Sequence, residues 1–423
     1  MPTLFFAQDN QFFANRPIAQ LAAEHGTPLY AYDSQRIRQR IQDLRGILPA
    51  AIGIHYAIKA NPFPPLLRTM SKLVDGVDIA SGGELELALQ AGIASDRISF
   101  AGPGKRDSEL EQAVAAGVLI NAESINELTR LAAIAQKLGR TARVALRINP
   151  AFELKGAGMR MGGGSRPFGM DEEIVPDLLD GWGCFGSHLA FEGLHIFAGS
   201  QNLNGESIAA AQRASYQLAL RLAEHAPTPI KTLNLGGGFG IPYFAHESPL
   251  ELAPIATALT EIAQDAAQRM PQAALHLELG RYLVGEAGIY ITRIVDKKVS
   301  RGHTYLVTDG GLNHHLAASG NFGQVIRRNY PVAIVHAGEI KNTDKKVGYG
   351  DTAQSQRNGD TTNTETASVV GPLCTPLDLL ADKVDLPITE PGDLFVIFQS
   401  GAYGASASPQ GFLSHPTVSE VLF

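Results

Sequence analysis

The chain has 423 residues, 44% of them hydrophobic, with a formal net charge of -7, which is enough material for two domains with separate cores. This acidic balance, without any local cluster of arginine and lysine, excludes general attraction to nucleic acid or to an anionic membrane surface and favours small-molecule chemistry. No apolar run reaches membrane-spanning length, the start lacks the basic and apolar regions of an export signal, and Cys184 and Cys374 lie far apart without C-x-x-C spacing. The expectation is a cytoplasmic protein with no disulfide framework, no zinc site and no metal among its site residues.

An N-terminal segment, 1–26, precedes the strand-like Pro28-Leu29-Tyr30-Ala31-Tyr32. Eight short apolar segments then alternate with helical patterns: 52–58, 77–80, 98–101, 118–121, 144–148, 191–197, 232–235 and 275–278. The stretches 83–91, 108–116, 124–138, 206–225 and 249–269 have helix-like composition. Alternation repeated eight times predicts an α/β fold built as a closed parallel (β/α)8 barrel over 27–287. An open doubly wound sheet is the alternative; no G-x-G-x-x-G follows the first strand to support it.

From about 288 onward the strands 289–294, 305–308, 332–335, 367–370 and 394–398 follow one another without helices, which predicts a second, all-β C-terminal domain over 288–423. Residues 1–26 are expected to join it. The stretch 341–366 is rich in Asn, Asp, Thr, Gln and Gly, almost without apolar residues, and reads as a mobile loop.

In such a barrel the carboxyl ends of the strands form one rim, where loops from distant parts of the chain converge. Lys59 closes the first strand, Asp78 lies in the second, His195 and Phe197 in the sixth, Gly236-Gly237-Gly238 ends the seventh and Glu278 the eighth. Each alone has an ordinary explanation: a strand-end lysine is usually solvated, a glycine run is usually a turn, and Glu278 could pair with Arg281. Their coincidence on one rim suits pyridoxal phosphate chemistry, which needs a lysine amine for the aldehyde, an anion site for the phosphate and a carboxylate for the ring nitrogen.

The segments Tyr56-Ala57-Ile58-Lys59-Ala60-Asn61, Asp78-Ile79-Ala80-Ser81-Gly82-Gly83-Glu84-Leu85, Leu235-Gly236-Gly237-Gly238-Phe239-Gly240, Glu278-Leu279-Gly280-Arg281, Gly371-Pro372-Leu373-Cys374 and Gly401-Ala402-Tyr403-Gly404 span nearly the whole chain. In this order they resemble the motifs of the fold type III pyridoxal-phosphate decarboxylases that include diaminopimelate and ornithine decarboxylase. The resemblance implies a homodimer with shared active sites. Lys59 would hold the cofactor's aldehyde, Glu278 would face the pyridine nitrogen, and Ser200, Gly236, Gly237, Gly238, Arg281 and Tyr403 would hold the phosphate, with Gly280 also in the cofactor-binding set. Asp78, His195 and Phe197 complete the implied cofactor set. Cys374, from the partner subunit, is the implied acid that returns a proton to the α-carbon, although a lone cysteine is often inert core.

Phe197 stands where that family usually has a histidine over the ring, and a phenyl ring cannot titrate. His195 shares its strand face, so it either lines the site or is a hydrogen-bonded structural histidine. Thr375 follows Cys374 where diaminopimelate decarboxylases have a glutamate, and their Arg-Pro-x-Leu-Tyr segment is missing. Arg281, Thr375, Asp378 and Tyr403 remain as candidate substrate contacts.

These departures resemble a branch containing exosortase-associated decarboxylases and the decarboxylase of a carrier-protein-linked glutamyl group, whose tethered substrate needs no ionic clamp at its distal end. The alternatives are a decarboxylase of a free amino acid such as diaminopimelate, ornithine or lysine, and a catalytically silent homologue that binds a regulatory protein. A metal hydrolase using His303, His314 and His315 lacks the required ligand spacing.

Overall fold

The computed structural model of the chain describes residues 11–244, 246–322, 324, 327–336 and 364–423, apart from the side chain at 160. Eight parallel strands close into a barrel: β1 (Ile52–Ala57), β2 (Gly76–Ile79), β3 (Ile98–Phe100), β4 (Leu119–Ala122), β5 (Ala142–Asn149), β6 (Leu189–Ile196), β7 (Thr232–Gly237) and β8 (Ala274–Leu279). Closure comes from β8 against β1, where Leu277 is opposite Ile54, and from β4 against β5, where Ile120 is opposite Val144. Every residue of β2, β3 and β4 is buried, as expected of strands covered on both faces.

Helices α1 (Pro64–Met70), α2 (Gly82–Gln90), α3 (Asp107–Ala116), α4 (Ile125–Leu138), α5 (Gly205–Ala223) and α6 (Ala253–Arg269) return the chain between strands. Local sequence marks their ends. Ser81 Oγ accepts from the Glu84 N–H at 3.1 Å, Ser124 Oγ from the Glu127 N–H at 3.1 Å, and Asn204 Oδ1 from the Ser207 N–H at 2.9 Å. Gly117 and Gly139 stop α3 and α4 with φ of 75° and 61°, a left-handed geometry that a side chain would strain.

The second domain is a β sheet in the order β11 (Val332–Val335), β14 (Leu394–Ile397), β9 (Gly288–Ser300), β10 (His303–Thr308), β12 (Thr364–Val370), β13 (Leu379–Pro387). β9 leaves the barrel and runs 13 residues through this sheet. The strand Leu29–Tyr32, which the 27–287 boundary assigned to the barrel, lies instead against β9, with Tyr30 opposite Tyr290. Followed by the helix Ser34–Ile47 it looks in sequence like the start of a barrel unit, but among the described residues its partners are β9 and the C-terminal strand Ser419–Leu422. Phe13 and the helix Ile18–His25 bury Ile18, Leu21 and Ala22 against the same sheet, beside Ile289, Ala333 and Val396.

Of the stretch 341–366 expected to be mobile, 341–363 lie outside the described residues, and 364–366 open β12, where Thr366 is opposite Asp385. Among the described residues no helix is long and apolar enough to cross a membrane.

Candidate active site

After β1 a single 3-10 turn, Ile58–Ala60, lifts Lys59 onto the carboxyl rim of the barrel. The second domain fixes this turn: the Tyr403 N–H donates to the Ala60 carbonyl at 2.7 Å, and the Asn61 side chain donates to the Gly401 carbonyl at 3.0 Å. Lys59, Phe197, Ser200, Gly238, Glu278 and Arg281 line a cavity of about 220 Å³ at the rim, with Met159, Met161, Phe239, Gly280 and Tyr403 completing the wall. Lys59 keeps 44% of its side-chain surface accessible, so its amine is open to a group entering the cavity.

Lys59 Nζ is 3.4 Å from Glu278 Oε1 and 5.6 Å from the centre of the Phe197 ring. His195 Nε2 is 3.2 Å from Glu278 Oε2, without hydrogen-bond alignment. Burial opposes ionisation of Glu278, yet Lys59 first, then His195 and Arg147, hold its carboxyl well below the ordinary carboxylate range. Burial likewise opposes the Lys59 ammonium, and Glu278 with Tyr403 outweighs it, so the amine stays above its ordinary value. With the Lys59 amine free, the two groups form a charged ammonium–carboxylate pair in the cavity.

The triple glycine is required by packing. Gly236 and Gly238 have φ of 71° and 82°, and a Cβ on Gly237 would overlap the Glu278 carbonyl. A Cβ on Gly236 would come within 2.7 Å of the Ile196 carbonyl oxygen, and one on Gly238 within 2.8 Å of that of Gly199. Only a bare backbone lets the β7 turn sit between β6 and β8. Arg281 lies 4.6 Å over the Tyr403 ring and donates to the Tyr243 hydroxyl at 2.7 Å, while its Nε is buried without a partner. An amine, an ionised carboxylate and an unsatisfied arginine donor beside a glycine turn fit a phosphorylated pyridine aldehyde.

A sequence profile described as pyridoxal-dependent decarboxylase, pyridoxal binding domain, matches residues 34–285. The chain belongs to the pyridoxal-dependent decarboxylases. It is 38% identical over 407 residues to the L-glutamyl-(BtrI acyl-carrier protein) decarboxylase of Niallia circulans, covering 96% of this chain and 90% of that protein. It is 31% identical over 427 residues to the diaminopimelate decarboxylase of Aquifex aeolicus, covering 100% of this chain and 92% of that protein. The crystal structure of diaminopimelate decarboxylase from Helicobacter pylori complexed with L-lysine matches with a TM-score of 0.79 at 28% identity, over 96% of this chain and 93% of that one. Pyridoxal phosphate is the cofactor of this decarboxylase.

Not every expected residue reaches the cavity. Asp78 and His195 lie buried beneath it; Asp78 Oδ2 is 3.5 Å from His55 Nδ1, and His195 stands behind Glu278. Phe197 is therefore the member of that strand pair that forms the wall.

Asp378, expected as a substrate contact, is turned into the second domain. Its carboxylate accepts from the N–H groups of Leu312 at 2.6 Å and Leu373 at 2.8 Å, and it is almost fully buried. The two amides need an acceptor that solvent cannot supply, which gives this carboxylate a structural role within its own chain. Cys374 is exposed and Thr375 half-buried, and neither lines the cavity of its own chain.

Arg147 escaped the motif reading. Its guanidinium donates to Glu123 at 2.7 Å and adds positive potential at Glu278, and its signal was a lone arginine inside the apolar segment 144–148. His303, His314 and His315 pair separately with Ser368, the Pro416 carbonyl and Ser400. Among the described residues no group of three or more His, Cys, Asp or Glu is close enough to hold a metal ion.

Proposed function

We propose that this enzyme removes the α-carboxylate of an aminoacyl group, most plainly glutamyl, carried on a carrier protein. One observation carries the choice of a tethered over a free substrate: among the described residues of this subunit, the charged groups lining the cavity are Lys59, Glu278 and Arg281, and the rest of the wall is largely apolar. A free diaminopimelate would bring a distal ammonium and carboxylate to a wall whose described residues in this subunit leave no charged partner for them beyond those that would hold the cofactor, and unpaired buried charge is strongly penalised. A glutamyl thioester has no charge at that end. The extent of likeness to a decarboxylase named for a carrier-bound glutamyl group supports the same reading.

In the proposed mechanism the Lys59 amine would hold the cofactor's aldehyde in the absence of substrate. Ser200, the backbone of Gly236, Gly237 and Gly238, and the side chains of Arg281 and Tyr403 would hold the phosphate, with Gly280 admitting the close approach. Glu278, ionised throughout, would keep a proton on the pyridine nitrogen. When bound, pyridoxal phosphate supplies an electron sink for the pair released as carbon dioxide leaves. Phe197, Met159 and Met161 exclude water from the reacting carbon. Cys374, delivered by the partner subunit with Thr375 beside it, would donate its Sγ proton to that carbon.

The homodimer is supported by the exposure of Cys374 outside its own cavity, and a cytoplasmic location by two unpaired thiols. Carbon dioxide release is the test, measured with a glutamyl carrier-protein thioester and a panel of free amino acids. Efficient turnover of free diaminopimelate, ornithine or lysine with none of the thioester would refute the tethered reading; a cofactor-loaded protein inert to all of them would favour a regulatory binding role.

A further inference from the structure

Beside the active site a second cavity opens on the surface, lined by Phe244, His246, Arg327, Arg328, Asn329 and Asp382. The two cavities share a partition. Tyr243, whose hydroxyl accepts from Arg281, precedes Phe244, and Tyr330, with its ring centre 4.8 Å from that of Tyr243, follows Asn329.

The side chains of this groove have unequal freedom. Arg327 is committed to the fold, donating from Nε to the Ser319 carbonyl at 3.1 Å and from Nη2 to the Leu379 carbonyl at 2.6 Å. Asn329 clamps the Asp382 backbone in both directions, at 2.7 Å and 2.8 Å, and so fastens this segment to the edge strand β13. The Asp382 carboxylate accepts from the Ser368 hydroxyl at 2.8 Å.

Arg328 differs from these. It is exposed, lies 5.3 Å over the Phe244 ring and 3.1 Å from His246 Nε2, and among the described residues no carboxylate pairs with it. A guanidinium laid on an aromatic ring, on a segment tied down at both neighbours, offers its remaining donors to an anion of phosphate geometry.

We infer that this groove takes the phosphate of a 4′-phosphopantetheine arm, the tether on which carrier proteins hold acyl thioesters; the inference rests on the tethered-substrate reading above. The centres of Arg281, Tyr243, Phe244 and Arg328 follow one another at 5.5, 6.4 and 5.3 Å, which bounds the distance from the active-site wall to Arg328. A pantetheine chain is long enough to cover three such steps. The acyl group then sits in the active site while the charged end of its tether is held outside, on the far side of the tyrosine partition.

The test compares glutamyl thioesters of 4′-phosphopantetheine and of pantetheine, which differ only in the phosphate. The wild type is expected to favour the phosphorylated thioester by about tenfold in kcat/KM, through KM, as the loss of one charge-assisted contact implies. Arg328→Ala is expected to bring that ratio close to one. Because the ratio is internal to each variant, a general folding defect does not imitate the result. Equal use of both thioesters by the wild type, or a ratio that survives Arg328→Ala, overturns the inference and leaves the tethered reading standing. Turnover of neither thioester alongside rapid use of a free amino acid removes both. A preference confined to the intact carrier protein and weakened by Arg328→Ala overturns it too, and assigns the groove to the carrier's acidic surface.

Discussion

Glu278 is the residue on which the electrostatics of the site turn, because Lys59 and His195 approach its two oxygens from opposite sides. Its pKa is depressed relative to 4.5, so its stabilising contribution is complete above that value and is lost as the pH falls further. Across the neutral range it does not titrate. Glu278→Gln is therefore expected to lower kcat by about 10²- to 10³-fold, the scale of losing a preorganised charge. The shape of the pH profile should stay unchanged between about pH 5 and 9. An acid limb in that window that disappears with Glu278→Gln would show the carboxylate titrating where it is expected to be permanently charged.

At the scale of elements, the barrel was legible because its strands are short, mostly buried runs, and several of their ends break the apolar pattern with Lys59, Glu278 or glycine. What stayed illegible depends on contacts between distant parts of the chain. β13 went unrecognised because its exposed Lys383 and Asp385 interrupt the apolar pattern, while its pairing with β12 is a matter of register. Asp378 has the composition of an amine partner and the surroundings of a structural acceptor, and only the positions of Leu312 and Leu373 separate the two.

Glu109 is a similar case, joining two helices. It accepts from the Gly82 N–H at 2.8 Å at the start of α2 and from the Arg106 N–H at 3.0 Å ahead of its own α3. Arg106, then these amides, hold its carboxyl down to about 2, against an ordinary 4.5, so its contribution is present above 4.5 and vanishes as the pH approaches 2. Glu109→Gln should cost about 1–2 kcal/mol at pH 7. Denaturant midpoints measured against pH should show that difference shrinking below 4.5; a constant difference would contradict the assignment.

For the molecule as a whole, the active site is composite. The barrel supplies Lys59 and Glu278, and the second domain of the same chain supplies Tyr403 and pins the lysine turn. Cys374 is exposed outside its own cavity, so its proposed role as the acid requires delivery by a second subunit. Lys59→Ala and Cys374→Ala should each be nearly inactive alone. Mixing and re-assembling the two should restore about a quarter of wild-type activity, from dimers in which one site keeps both residues. No recovery on mixing would place both residues in the same subunit's site, and an active Cys374→Ala would remove Cys374 from the chemistry.

The Lys59 amine, in the cavity beside Glu278, is the proposed attachment point of pyridoxal phosphate, and every other role assigned to the site depends on it. Borohydride reduction of the cofactor-loaded protein, followed by peptide mapping, tests it most directly. The label is expected on Lys59 alone, with loss of the yellow absorbance in proportion; a label on any other lysine, or a yellow protein that reduction leaves unlabelled at Lys59, would contradict it.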